Sequence, residues 1–182
     1  MKELFTIDLK DYDGCTEFFR RPSSRGIILT ENGKIALVYS KRDKYYKFPG
    51  GGIKGSEDNI TALIREVSEE VGLKVLIESV REFGRVVRKQ KSNMKDNTVF
   101  EQENFYYFCQ VSGDVGKQHL DTYEAEAGFE LQVVSIEDAI KVNKNFIGDD
   151  NFDQIMIDRD TRVLELIAYQ LKSEQLMKCN EG

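Results

Sequence analysis

The stretch "RGIILTENGKIALVYS", residues 25–40, places two runs of apolar and β-branched residues on either side of Asn32-Gly33. That dipeptide suits a tight turn, so the pattern predicts two strands joined as a hairpin. "YYKFPGGG" reads as a short strand running into a loop, and "LKVLIESVREFGRVVR" and "QENFYYFCQV" as two further strands. The polar, basic "KQKSNMKDN" between them predicts an exposed loop. "GFELQVVS" predicts a last strand, and "SIEDAIKV" a short amphipathic helix opened by its serine. From Asp153 to Lys178 the spacing of Ile155, Ile157, Val163, Leu166, Ile167 and Leu171 predicts a C-terminal helix, broken near Arg159. Mixed strands with few helices point to an α/β class of the α+β type, built on a mixed sheet. There is no internal repeat and no linker, so residues 1–182 read as one domain, with a core over about 25–140 and a helical extension over about 141–182.

The segment from about Asp58 to Val71 is predicted to be helical, capped by Ser56 or Asp58 and ended by Gly72. Ile60, Ile64, Val67 and Val71 share one apolar stripe, while Glu66, Glu69 and Glu70 cluster on an adjoining face. Three clustered carboxylates repel one another, and a hard divalent cation would turn that repulsion into coordination. Gly50, Gly51 and Gly52 precede this helix, and their bare backbone permits close approach to a metal or phosphate. The competing reading is a solvated acidic face beside a flexible loop.

Composition narrows the choices. The net charge of -6 argues against a long nucleic acid or an anionic membrane as partner. Cys15, Cys109 and Cys179 are odd in number and form no CxxC pair, which fits reduced thiols in the cytoplasm and excludes a disulfide framework. Neither a signal peptide nor a membrane span is legible. With His119 as the only histidine, carboxylates are the expected workers in any acid–base or metal chemistry.

Written out, Gly51, five residues, Glu57, seven residues, then Arg65-Glu66-Val67-Ser68-Glu69-Glu70-Val71-Gly72-Leu73 resembles the Nudix box, with all nine specified positions filled across 23 residues. "FPGG" just upstream is also typical of that family. The resemblance implies a Nudix-like α/β/α sandwich and metal-dependent hydrolysis of a pyrophosphate bond in a nucleoside diphosphate linked to another group. It implies that Glu66, Glu69 and Glu70 bind Mg²⁺ or Mn²⁺, with the Gly50 carbonyl completing the set and Glu66 or Glu69 available as base. It also implies an ion pair between Glu57 and Arg65 that holds the glycine loop against the helix. A further acid often comes from a loop before the last strand, here Glu124 ahead of Glu126 or Glu130. The tryptophan common on that strand is missing, and Val133 stands in its place.

Substrate recognition leaves fainter marks. Lys47, Arg25, Arg85 and Arg88 are candidates for phosphate contact, and Tyr46, Phe48, Tyr106 and Tyr107 for stacking on a base, against a default of solubilising charge and core aromatics. The C-terminal segment is open to three roles: pocket cover, homodimer contact or ordinary packed helix. The alternative to an enzyme is a catalytically silent Nudix module that binds a nucleotide or a protein partner.

Overall fold

A computed structural model describes residues 1–113, 116–148 and 151–180, with the side chains of 151, 152 and 178–180 outside the description. Its contacts sort the chain into two compact units, one of residues 1–29 and 49–120 and the other of 30–48 and 121–182.

The first unit is a mixed sheet with one helix. Strands β1 (Glu3–Asp8), β2 (Glu17–Arg20), β3 (Ser23–Leu29), β6 (Gly50–Gly52), β7 (Arg81–Lys91) and β8 (Thr98–Phe108) form it. Antiparallel β7 and β8 are its centre; β1 runs parallel to β7, β2 and β3 run parallel to β8, and β6 lies antiparallel on β3. Helix α1 (Asn59–Val71) packs on β3 and β6. Asp58 caps it by accepting the Thr61 N–H, and Gly72 ends it at φ 68°. Gly26 leaves room for this packing, since a Cβ there would sit 3.2 Å from Val67 and 3.5 Å from Leu63.

Three sequence expectations change here. The glycine run is not a loop but the strand β6. Residues 73–80 do not begin a strand; they hold a bridge at Val75 and a 3₁₀ turn at Ile77–Ser79, and β7 starts at Arg81. The buried residues of α1 are Ala62, Leu63, Val67 and Val71 with Glu66 and Glu70, while Ile60 and Ile64 are half-buried. Strands β1 (ELFTID) and β2 (EFFR) are short and place apolar residues side by side, so they show no alternating pattern.

The second unit pairs β4 (Ile35–Ser40) antiparallel with both β5 (Tyr45–Lys47) and β9 (Phe129–Val134). A tight turn, with the Thr30 N–H donating to the Lys34 carbonyl, precedes β4 around Asn32-Gly33. Helices α3 (Ile136–Lys144) and α4 (Asn151–Asn180) pack on β5 and on each other. Asn143 ties α3 to β5 by exchanging two hydrogen bonds with the Tyr46 backbone, at 2.8 and 2.9 Å. Helix α4 runs unbroken through Arg159. That residue and Asp160 are buried as an ion pair, and the Asp160 carboxylate accepts the Phe48 N–H, so polar residues that looked like a break are internal anchors. The proposed loop before the last strand is a short helix, α2 (Thr122–Ala127).

Candidate active site

The glutamate face of α1 is not a solvated surface: Glu70 is 1% and Glu66 7% exposed, and only Glu69 is open to any extent. A carboxylate taken out of water in this way needs partners. Arg65 supplies most of them. Its guanidinium donates to Glu57 at 2.5 and 3.1 Å, to Glu66 at 2.5 Å, to Glu69 at 3.1 Å and to the Gly52 carbonyl at 3.1 Å. The hydrogen bond from Arg65 holds the Glu57 carboxyl below its ordinary range, and the same bonds push Arg65 up. The Lys54 N–H adds a second tie to Glu57, at 2.6 Å. The expected pairing of Glu57 with Arg65 is therefore formed, and it joins the segment after β6 to the helix.

Glu70 is held differently. Its carboxylate accepts the Gly50 N–H at 2.8 Å. The Gly50 carbonyl in turn accepts from the buried Arg25 at 3.3 Å, and Arg25 also donates to Asn104 at 3.3 Å. A carbonyl oxygen has two lone pairs, so this bond leaves one for another partner.

A Cβ would meet a different neighbour at each of the three glycines. Gly50 sits at φ 143°, and a Cβ there would lie 2.2 Å from the Ser24 carbonyl oxygen. At Gly51 a Cβ would lie 2.4 Å from the Glu66 carboxylate, which rests on the bare backbone. At Gly52 it would crowd the Arg21 guanidinium, 3.2 Å away. The sequence carried the glycines but not this division of labour.

The candidate donors on α1 and β6 are Glu66, Glu69, Glu70 and the Gly50 carbonyl, all oxygen and mostly anionic. That chemistry fits a hard divalent cation such as Mg²⁺ or Mn²⁺. Among the described residues no group of three carboxylate, imidazole or thiol side chains stands in a ligating arrangement; Arg65 lies between Glu66 and Glu69, and the Lys54 ammonium is 3.8 Å from Glu69.

The other candidates are placed as follows. Arg85 pairs with Glu3 at 3.4 Å and Glu103 at 2.7 Å, on the sheet face shared by Ser24 and Gly26. Arg88 lies on the opposite face, 1% exposed, and donates to Gln90 at 2.6 Å. Lys47 is buried with its ammonium 4.5 Å from the Phe129 ring centroid. Tyr46 and Phe48 are buried, with the Tyr46 hydroxyl 2.7 Å from Gln132. Tyr106 is also buried, and the Tyr107 hydroxyl accepts from Asn59 at 3.1 Å. Glu124 closes a capping box with Asp121, Glu126 is exposed, and Glu130 on β9 pairs with Lys41. Val133 is half exposed. The Cys109 thiol is pushed up to about 12 by burial, as an inert core thiol should be. The Cys179 side chain lies outside the described residues.

Comparison with known proteins gives a match to the NUDIX domain over residues 20–154. An 8-oxo-dGTP diphosphatase of Buchnera aphidicola subsp. Schizaphis graminum is 46% identical over 55 residues, which span 28% of this chain and 42% of that protein. The matched part is thus less than half of that relative's length. A NUDIX hydrolase from Nitrosomonas europaea has a similar fold, with a TM-score of 0.51 at 21% identity, covering 78% of this chain and 89% of the other. The MutT protein from Methanosarcina mazei Go1 gives 0.52 at 18% identity, covering 81% and 96%.

Proposed function

The chain belongs to the Nudix family, and from that premise we propose that it is a pyrophosphohydrolase that uses Mg²⁺ or Mn²⁺ to cleave a nucleoside diphosphate linked to another group. The observation that carries this reading is the burial of Glu66 and Glu70 against the backbone of Gly50 and Gly51, with all nine box positions present. A silent binding module has no need to bury two carboxylates beside a bare backbone at a desolvation cost. The matched residues run through both compact units, so we take them to act as one Nudix domain.

In this reading Glu66, Glu69, Glu70 and the Gly50 carbonyl hold the ion. When bound, it neutralises diphosphate charge and acidifies a water. The remaining work belongs to the chain. Glu70 fixes the Gly50 amide, which orients the neighbouring carbonyl. Arg65 clamps Glu57 and the Gly52 carbonyl, keeping β6 at a set distance from the helix. Glu66 or Glu69 takes the proton from the attacking water, and Glu69 is the more accessible of the two. Water adds to phosphorus, the bridging P–O bond breaks, and the products are two phosphorylated fragments. Arg25, Lys47 and Arg85 are the candidate substrate contacts, and Glu124 is the candidate distal acid.

The substrate is proposed to be a small nucleotide, in keeping with the net charge of -6. The resemblance to an 8-oxo-dGTP diphosphatase makes 8-oxo-dGTP one of the compounds to try first. Among the described residues no helix is long and apolar enough to cross a membrane, and we place the protein in the cytoplasm because Cys15 and Cys109 are unpaired. The test is turnover of a nucleotide panel with Mg²⁺ and with Mn²⁺. Cleavage of at least one compound, abolished by chelation, supports the reading; metal-independent binding without turnover across the panel rejects it.

A further inference from the structure

The last turn of α1 presents carbonyls that no residue of the helix can satisfy. Gly72 covers one, donating its N–H to the Ser68 carbonyl at 3.0 Å. The carbonyls of Glu69 and Glu70 are covered from elsewhere in the first unit, by residues 118 and 119. The His119 N–H donates to the Glu69 carbonyl at 2.7 Å, and the Gln118 side-chain amide donates to the Glu70 carbonyl. The Gly116 N–H adds a third tie, to the Gly72 carbonyl at 2.6 Å. Two of these three bonds fall on residues that the proposed function assigns to the metal.

Two of the ties come from backbone and survive most substitutions. The Gln118 bond is made by a side chain, so substitution can remove it while the two backbone ties stay. Glu70 is thereby fixed at both ends: its carboxylate by the Gly50 N–H, its carbonyl by Gln118. A ligand pre-set in this way binds an ion without first having to order its own turn, which is an entropic gain.

We propose that Gln118 is a positioning residue for the metal ligand Glu70, acting through the backbone of the last turn of α1 and touching neither ion nor substrate. The inference rests on the reading of Glu70 as a ligand. It predicts that the segment 116–119 is part of the metal site's support, although no family motif or sequence pattern marks it.

The test uses Mn²⁺ titration of the full chain, followed by electron paramagnetic resonance of the free ion, on wild type, Gln118→Glu, Gln118→Lys and Glu70→Gln. Gln118→Glu keeps the size but has no N–H to donate, and it should weaken Mn²⁺ affinity about three- to tenfold, the worth of one such bond. Gln118→Lys keeps a donor of comparable reach and should recover at least half of that loss on a logarithmic scale. Turnover of Gln118→Glu should return towards wild type as Mn²⁺ is raised, because the loss lies in affinity. A merely structural role would lower the melting temperature and leave Mn²⁺ affinity unchanged, and that result overturns the proposal. If wild type binds Mn²⁺ and Glu70→Gln does not, but Gln118→Glu matches wild type, only this inference falls. Absence of Mn²⁺ binding by wild type, or full binding by Glu70→Gln, removes the underlying reading as well.

Discussion

Replacing Gly51 with alanine should uncouple the chemistry of the glutamate face from the stability of the fold. The new methyl carbon would lie 2.4 Å from one Glu66 carboxylate oxygen, 2.6 Å from its carbon and 2.8 Å from the other oxygen. Non-bonded contacts of this kind settle at about 3.5 Å, so the carboxylate must retreat by roughly 1 Å. It can do so because it is the end of a flexible side chain. The Gly51 backbone does not occupy the left-handed region, and alanine at a compatible position stabilises by about 0.4–1 kcal/mol through the unfolded chain. That gain offsets part of what is lost when Glu66 moves away from Arg65, so the net change should stay within about 1 kcal/mol, a shift of at most about 4 °C for a chain of this size. Turnover is far more sensitive, since a misplacement of about 1 Å costs on the order of a hundredfold. Gly50→Ala is the control of opposite character. There the backbone sits at φ 143° with the Ser24 oxygen only 2.2 Å from the added carbon, and the cost falls on the fold, at about 3 kcal/mol or more. Differential scanning calorimetry and turnover at saturating Mg²⁺ would be measured on both variants. A Gly51→Ala protein within about threefold of wild-type turnover, or one as unstable as Gly50→Ala, would refute the reasoning.

Other perturbations follow from the same contacts. Glu57→Gln removes the carboxylate held by Arg65; with side chains 14% and 22% exposed the pair lies between surface and buried, so chemical denaturation should show a loss of about 1–2 kcal/mol. Because the folded-state pKa of Glu57 is depressed, its contribution is complete above the ordinary carboxylate range and disappears as pH falls through the folded value; the wild-type minus Glu57→Gln stability difference should shrink on acidification, and a constant difference down to pH ~2 would contradict the pairing. Asp160→Ala leaves Arg159 without its buried counter-ion and the Phe48 N–H without its acceptor, and should cost about 3–5 kcal/mol in a denaturant melt, against less than about 1 kcal/mol if the pair is dispensable. Glutamine at Glu124, Glu126 and Glu130 in turn should lower turnover sharply at one position, with Glu124 foremost; three equally mild effects would place the distal acid elsewhere.

How much was legible in the sequence depended on what each residue answered to. Helix α1 could be read because its capping Asp58, its terminal Gly72 and the box spacing are local signals. The Glu57–Arg65 pair followed from family resemblance, and the structure gives it its physical basis in four acceptors around one guanidinium. By contrast, the burial of Glu66 and Glu70 was hidden, since an acidic face at helical spacing looks solvated until something packs on it. Here that something is a strand without side chains. Strands β1 and β2 were missed for a related reason: their pairing with β7 and β8 is decided by distant partners, and their short runs, with adjacent apolar residues, carry no alternation of their own. Arg159 and Asp160 misled in the opposite direction, as adjacent charges within a helical pattern suggest a break when here they are buried as an ion pair. Gln118 gave no signal at all, because one side-chain amide on one distant carbonyl leaves no pattern in a sequence.

The central claim is that the glutamate face performs metal-dependent hydrolysis. The most direct measurement is the Mg²⁺-dependent turnover of Glu70→Gln beside wild type, on whichever panel nucleotide wild type cleaves fastest, with circular dichroism to establish that both are folded. Glutamine can still accept the Gly50 N–H, so the strand and helix stay in place while the ligand charge is lost. The account predicts a folded variant at least about a hundredfold slower, since it lacks one of the carboxylate charges proposed to hold the ion. A folded Glu70→Gln variant that turns over at the wild-type rate would contradict it.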